Sequence, residues 1–144
     1  MPLPEEKSQE EKNKIIMGSF INEIFNNHDL SSLEKNFGNG SIKSSTQVQE
    51  FSQFLSDFFN AFPDWRAKIE HIIAENNLVV VFLNGSGTHK GKFRGVEPTD
   101  REVNIRSADL YRIENEIITG HWDVIDQLDL LKQTGTLLLG EIGN

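Results

Sequence analysis

The hydrophobic pattern of this chain changes period at Pro63 and Asp64. Before that point apolar residues recur every three or four positions, as on one face of an α-helix, and after it they alternate with polar residues, as in half-buried β-strands. Proline ends the helical part because the residue before a proline avoids the helical region. Helices first and strands afterwards predict an α+β domain, with helices on one face of an antiparallel sheet.

Three helices are predicted in the first half. The first ends near residues 26–27 and has an apolar stripe made of Ile15, Ile16, Phe20, Ile24 and Phe25. The second covers residues 30–37 with Asp29 as its cap, and a short edge strand is expected at 41–44. The third opens with a capping box of Thr46 and Gln49. Its broad apolar face can wall a pocket and comprises Phe51, Phe54, Leu55, Phe58, Phe59 and Phe62.

Four long strands joined by hairpins are predicted in the second half. The first alternates so that one face carries Trp65, Ala67, Ile69, His71 and Ile73. Turns at Asn76-Asn77 and at Asn115 separate the later strands, and a short helix follows at 127–133. We expect a curved sheet that forms a cone, with the three N-terminal helices across its concave face. The cavity enclosed by such a cone is a typical ligand site.

Length and composition indicate one globular domain. The 144 residues divide into a flexible tail at 1–11, a domain at 12–135 and a C-terminal tail at 136–144. A net charge of -8 argues against nucleic-acid binding and against anionic membranes. The chain has no cysteine, and neither a signal peptide nor a membrane span is recognisable, so a cytoplasmic location is expected.

Polar residues interrupt the apolar pattern of the last two strands. Alternation places His121, Asp123 and Ile125 on one face of the fourth strand, and Ser107, Asp109 and Tyr111 on one face of the third. A hairpin centred on Asn115 would set Asp109 opposite His121 and Ser107 opposite Asp123, about 5 Å apart. The bland interpretation is a strand end where these side chains reach water. A four-residue cluster bordered by Ile105, Ile117 and Ile125 favours a functional site instead.

Other motifs are rejected. The stretch from Gly85 to Lys92 resembles a phosphate-binding loop, but it has five residues between the glycines and Phe93 where a serine or threonine should bind magnesium. Serine-hydrolase and zinc-protease signatures are absent. A metal site at Asp109, His121 and Asp123 is conceivable, but the chain has no pair of ligands at helical spacing, so we predict no metal and no cofactor.

Three stretches of the chain together resemble one family. They are Phe62-Pro-Asp-Trp before an apolar strand, the pattern T-H-x-G-x-F-x-G-x-x-P-T at 88–99, and H-W-D-x-x-D at 121–126. Over roughly residues 10–135 the chain resembles the SnoaL-like polyketide (ester) cyclases, which belong to the nuclear transport factor two-like superfamily of α+β cone folds.

The resemblance implies a chemistry. The characterised cyclases close a ring by intramolecular aldol condensation without a cofactor, using an aspartate two positions after a histidine on the last strand. Asp123 and His121 match these positions, Asp109 matches the pocket-facing position on the preceding strand, where the cyclases carry a histidine, and Ser107 matches a glutamine-like position. Asp123, His121 and Asp109 are therefore the expected catalytic residues, with Asp109 holding one tautomer of His121. The expected contacts to a small hydrophobic carbonyl substrate are Ser107, Tyr111, Trp65, Phe58, Ile105 and Ile125.

Two other functions remain open at this point. The same cavity could serve a small-molecule binder without catalysis, or the fold could be a protein-interaction module, which predicts no ligand-sized cavity. Trp122 and Val124 point away from Asp123, so the outer sheet face is expected to be apolar and to form a homodimer. In a monomer, the tail with Leu137–Leu139 would cover that face instead.

Overall fold

The structure is a computed structural model that describes residues 1–37 and 45–135. Its elements are α1 (Gln9–Ile21), a π-helical turn (Asn22–Asn26), α2 (Ser31–Phe37), α3 (Ser45–Ala61), β1 (Arg66–Glu75), β2 (Leu78–Thr88), β3 (Glu102–Glu114), β4 (Ile117–Ile125) and α4 (Gln127–Gln133). The predicted edge strand at 41–44 and the C-terminal tail lie outside the described residues. No helix in the described part of the chain combines the length and apolar character needed to span a bilayer.

The predicted α+β cone is confirmed. The four strands form one antiparallel sheet in the order β1-β2-β3-β4. The predicted N-terminal helices pack on one sheet face, and the core between the layers contains Phe20, Leu55, Phe62, Val81 and Ile118, each essentially inaccessible to solvent. The first helix begins earlier than predicted because Ser8 caps it, accepting a bond from the Glu11 N–H while the Glu11 carboxylate accepts one from the Ser8 N–H.

A β-bulge corrects the predicted face of β1. The pairing with β2 shifts between Ile69 and His71, so one extra residue stands against the partner strand. Because side chains alternate with period two, that residue moves everything after it to the opposite face. Trp65, Ala67 and Ile69 share one face as predicted and point inward, but the placement of His71 and Ile73 on that same face is wrong. Ile73 is 58% exposed on the outer face.

The predicted register between β3 and β4 is wrong by two residues. Asp109 pairs with Asp123, Tyr111 with His121, and Ser107 with Ile125. One residue of the error comes from the turn, because Asn115 and Glu116 both have positive φ and form its two central positions together. The other comes from a bulge next to Arg112 and Ile113. A shift of two preserves the face, so the polar side chains still share the concave side.

The outer edge of β1 is held by the π-helical turn. Asn26 accepts a hydrogen bond from the Ala67 N–H through Oδ1 (2.8 Å) and donates one from Nδ2 to the Ala67 carbonyl (3.1 Å). The His28 ring lies 2.8 Å from the Trp65 carbonyl through Nε2 and stacks on Phe59. An amide side chain thus takes the place of a neighbouring strand at the point where the sheet begins to wall the cavity.

We expect Asn26→Ala to lower the free energy of unfolding by about 1–3 kcal/mol, since two backbone groups of Ala67 lose their partners. Urea denaturation checks this, with the exposed neighbour Asn27→Ala as control. Equal stability of the two variants would show that water replaces the Asn26 bonds without cost.

Candidate active site

A cavity opens between α3 and the concave face of the sheet. It encloses about 770 Å³, including the solvent at its mouth. Its walls are mainly aromatic and aliphatic, with Phe51, Phe54, Phe58, Trp65 and Phe93 on the helix and loop side. The interaction-module hypothesis expected no cavity of ligand size, and this cavity counts against it.

Trp65 reaches the cavity because β2 carries glycines beneath it. A Cβ atom on Gly85 would lie 2.1 Å from the Trp65 ring, and one on Gly87 would lie 2.9 Å from it. The ring therefore lies flat on the strand and also packs edge-on against Phe58, with 4.7 Å between ring centroids. Any larger residue at Gly85 would push the indole into the ligand space.

Three titratable side chains meet in the cavity wall. A carboxylate oxygen of Asp109, a ring nitrogen of His121 and a carboxylate oxygen of Asp123 lie within 4.8 Å of one another. Asp109 and Asp123 are direct cross-strand partners. Asp109 is buried, His121 is half-buried and Asp123 is exposed toward the mouth. The strands thus hold a buried and an open carboxyl group side by side, with an imidazole next to them.

The Asp109 carboxyl favours its protonated form. Burial raises its pKa to about 7, and the negative charge of Asp123 adds to this shift. Within the described residues no hydrogen bond reaches the Asp109 carboxyl, so nothing there compensates the loss of water. At neutral pH this group can therefore carry a proton in an apolar site, which an exposed aspartate cannot do.

The His121 ring is held between two other rings. Tyr111 stacks on it with 4.7 Å between centroids and an interplanar angle of 12°, and Phe51 packs against it at 4.8 Å and 45°. Burial lowers the pKa of His121, while Asp123 opposes that shift. A neutral imidazole with a fixed orientation can donate one hydrogen bond into the cavity.

Eight of the nine site residues predicted from the sequence line this cavity: Asp109, His121, Asp123, Ser107, Trp65, Phe58, Ile105 and Ile125. The exception is Tyr111, which does not line the cavity, and its contact with a ligand stays a prediction. Tyr111 is fully buried behind His121, and its hydroxyl has no hydrogen-bond partner among the described residues. Its predicted sheet face is correct, but the imidazole occupies the space in front of it.

Two residues at the mouth were not predicted. Arg94 and Gln127 line the opening, and the Arg94 guanidinium donates a 2.8 Å hydrogen bond to the Gln127 side-chain oxygen. The bond joins the β2–β3 loop to the start of α4 across the entrance. The motif at 88–99 marked this loop, but a motif does not reveal where the side chain of a variable position points.

The motif residues themselves fasten the loop to the domain. His89 and Thr99 contact each other through Nδ1 and Oγ1 at 3.0 Å, and the backbone N–H groups of Lys90 and Gly91 both donate to the Ala61 carbonyl. Gly91 is required there because a Cβ would lie 2.5 Å from the Asn60 carbonyl oxygen. The motif thus anchors one wall of the cavity to the end of α3.

The three titratable side chains of the cavity wall form a donor set that a divalent cation could use. The absence of a metal requirement stays a prediction. We expect dialysis against EDTA to leave ligand binding and turnover unchanged, because acid/base catalysis by side chains needs no metal. Loss of turnover that zinc or magnesium restores would contradict it.

The fold and the cavity define an α+β cone domain with a ligand-sized pocket and titratable side chains in the pocket wall. Comparisons with known proteins identify its family. The family model described as SnoaL-like polyketide cyclase matches residues 15–134. The chain belongs to the SnoaL-like polyketide cyclase family. A comparison with the curated proteins finds no match.

Solved structures share the fold. AclR from Streptomyces galilaeus, described as a candidate hydroxylase, is 26% identical with a TM-score of 0.80, over 90% of this chain and 84% of AclR. TsrD from Streptomyces laurentii is 19% identical with a TM-score of 0.76, over 92% of this chain and 100% of TsrD. A SnoaL-like polyketide cyclase from Agrobacterium tumefaciens is 17% identical with a TM-score of 0.69, over 84% and 96% of the two chains.

Proposed function

We propose that this protein is a cofactor-independent enzyme that performs acid/base chemistry on a small hydrophobic carbonyl compound, by ring-closing aldol condensation or a related isomerase or hydrolase reaction. The observation that carries the proposal is the pairing of a buried carboxyl, whose pKa is about 7, with an open carboxylate across two strands of an apolar cavity. Family membership supports the same chemistry, since the family is named for polyketide cyclases.

The two carboxyl groups divide the proton transfers. The Asp123 carboxylate takes a proton from the carbon next to a substrate carbonyl, and the resulting enolate carbon attacks a second carbonyl to form the ring bond. Protonated Asp109 gives its proton to the new alkoxide. Asp123 then returns its proton to Asp109, either directly or through one water, which restores the starting state. Asp109 begins in the protonated state that its burial favours.

His121 supports the charged intermediate in this scheme. The neutral imidazole donates a hydrogen bond to the enolate oxygen and needs no net charge to do so. The rings on either side restrict its rotation, so the donor is oriented before the substrate arrives. Asp109 was expected to hold one tautomer of His121, but the observed register pairs Asp109 with Asp123 instead.

Hydrogen–deuterium exchange tests the proposal without knowledge of the natural substrate. A thermal-shift screen of aromatic and polyketide-like ketones first identifies a ligand, because a bound ligand raises stability by mass action. The ligand is then incubated with the protein in D₂O, and its α-hydrogens are followed by NMR. Exchange well above the buffer rate supports the enzyme. Binding without accelerated exchange supports the alternative of a non-catalytic small-molecule binder.

We also propose a homodimer through the outer sheet face. An apolar row crosses all four strands in register and comprises Ile73, Val80, Leu110 and Trp122. In the next row Phe82 and Val124 are 41% and 73% exposed. Exposed apolar patches of this kind often mark protein–protein interfaces.

We expect Val124→Glu to convert the dimer into a species of 16.4 kDa, because a charge placed within this apolar face must lose its water on association. Sedimentation at micromolar concentration measures the change. Lys68→Glu introduces the same residue on the polar end of the same face and should leave the dimer intact. A wild type that sediments only as monomer would rule out the dimer.

A further inference from the structure

The mouth of the cavity is roomier than its aromatic interior. The space open to the centres of water molecules is about 80 Å³ in the interior and about 380 Å³ at the mouth. The larger figure of about 770 Å³ also counts the shell next to the walls and open solvent. A cavity of about 150 Å³ holds benzene, so a substrate with one ring or more must occupy the mouth as well. The polar side chains that line the mouth belong to Glu50, Arg94, His121, Asp123 and Gln127.

Arg94 brings a positive charge to this mouth. Among the described residues that line it, Arg94 is the only lysine or arginine. Its guanidinium forms no ion pair within residues 1–37 and 45–135, although the carboxylates of Glu50 and Asp123 line the same space. One N–H bonds to Gln127, and the guanidinium carbon lies 5.3 Å from the centroid of the Phe93 ring. A guanidinium has five N–H donors, so most of them are left for a ligand.

The backbone at Arg94 is unfavourable for a long side chain. Phe93 and Val96 exchange two backbone hydrogen bonds, of 3.0 and 2.9 Å, around a turn whose central residues are Arg94 and Gly95. The φ angles of these central residues are +50° and +80°. Positive φ at both positions defines a type I′ turn, which favours Asn-Gly. Arginine at the first position is therefore strained, and strain of this kind collects at functional sites.

We propose that Arg94 determines substrate selectivity by binding a carboxylate group of the substrate at the mouth of the cavity. A planar guanidinium pairs with a carboxylate through two parallel hydrogen bonds. The ring and the ketone of the same molecule then lie between the aromatic walls, next to Asp109 and Asp123. The substrate class is therefore a ring-bearing keto acid. Arg94 has this role only if the cavity is the substrate site, so the inference rests on the proposed function.

The competing explanation is structural. The bond from Arg94 to Gln127 joins the β2–β3 loop to α4, and this contact needs no ligand. An arginine kept for that bond is indifferent to the charge of a ligand, whereas an arginine that binds a carboxylate discriminates by charge. Glu50 and Asp123 sharpen the difference, because they repel a bound carboxylate once the cation is removed.

4-Acetylbenzoate and 4-acetylbenzamide are suitable probes, because they share one ring and one methyl ketone and differ in charge. Titration of the full chain followed by methyl NMR measures both affinities. A shift of the Ile125 methyl signals locates the probe, since this side chain lines both the interior and the mouth. We expect wild type to bind the benzoate about fivefold more tightly, as one partly exposed ion pair provides. Added salt should reduce this preference.

Three variants separate the causes. Arg94→Asn removes the cation and suits the turn, so it should be at least as stable as wild type, and its preference should vanish or reverse in favour of the benzamide. Gln127→Ala breaks the bond across the mouth but keeps the cation, so the preference should persist. Lys92→Gln removes a cation of the same loop that pairs with Glu97 outside the cavity lining, and it should leave the preference unchanged.

The opposite results would overturn the inference. These are equal affinity of wild type for the two probes, no binding of either probe, a preference that survives Arg94→Asn or is lost in Gln127→Ala, or a marked loss of stability in Arg94→Asn. Exchange of the acetyl hydrogens in D₂O, recorded on the same samples, tests the proposed function separately. A preference for the benzoate without accelerated exchange supports the role of Arg94 and contradicts catalysis, whereas accelerated exchange without a preference does the reverse.

Discussion

Replacing Asp123 by asparagine is expected to lower the rate of α-hydrogen exchange on a bound ketone by about 10²–10⁴-fold, the usual contribution of a positioned general base. Asparagine has nearly the same shape but cannot accept the proton. Because Asp123 is exposed toward the mouth of the cavity, the free energy of unfolding of the Asp123→Asn variant should stay within about 0.5 kcal/mol of wild type. This free energy should rise slightly if the substitution relieves repulsion from Asp109.

Activity and stability must be measured on the same preparations. Glu102 is exposed on β3, and Glu102→Gln, which also removes a carboxylate, is the matched control. It is expected to change neither the exchange rate nor the free energy of unfolding. A strongly destabilised Asp123→Asn variant that still binds its ketone and exchanges its hydrogens normally would make Asp123 a structural partner, and the base would have to be sought elsewhere.

The second large effect concerns Asp109 and the pH dependence of stability. Its pKa is about 7 in the folded protein against 3.8 for an ordinary aspartate. The folded state therefore holds a proton that the unfolded state has released between these pH values, and stability falls as pH rises through this window. A shift of this size corresponds to about 4 kcal/mol. Below the window both states are protonated, and above it the loss is complete.

Asp109→Asn should remove this pH dependence, because an amide does not titrate. We expect the variant to gain about 4 kcal/mol on wild type between pH 4 and pH 8, whatever its stability at pH 4. Urea denaturation at several pH values measures the difference, and Asp123→Asn run in parallel tests how much of it arises from repulsion between the two carboxylates. A difference between variant and wild type that does not change with pH would show that Asp109 titrates normally.

The local patterns were sufficient to predict the architecture and most of the cavity wall. Helical spacing, the switch to alternation after Pro63 and the turn residues are short-range signals. Such signals decide which elements form and, along a strand without a bulge, which face each residue occupies. This is why strand alternation alone assigns Asp109, His121 and Asp123 to one face. An error of two residues in pairing left that assignment intact.

β-Bulges and contacts between residues distant in the sequence were not predictable from local patterns. The extra residue near Glu70 depends on how β1 meets β2, and nothing in the local pattern marks it. It reversed the predicted placement of His71 and Ile73. Tyr111 had the right alternation but lies behind His121, because depth within a face depends on neighbouring side chains. The Ser8 cap, by contrast, has a recognisable Ser-x-x-Glu signature within the charged segment that was predicted to be a flexible tail.

The side-chain amide of Asn26 also limits aggregation of this protein through its sheet edge. A sheet edge with unpaired backbone groups is a template onto which another chain can add a strand, and long open edges lead to fibres. At Ala67 both outward backbone groups are already occupied, so an incoming strand would have to displace a side chain before it could align. We therefore expect Asn26→Ala to increase aggregation during expression, even where the variant still folds.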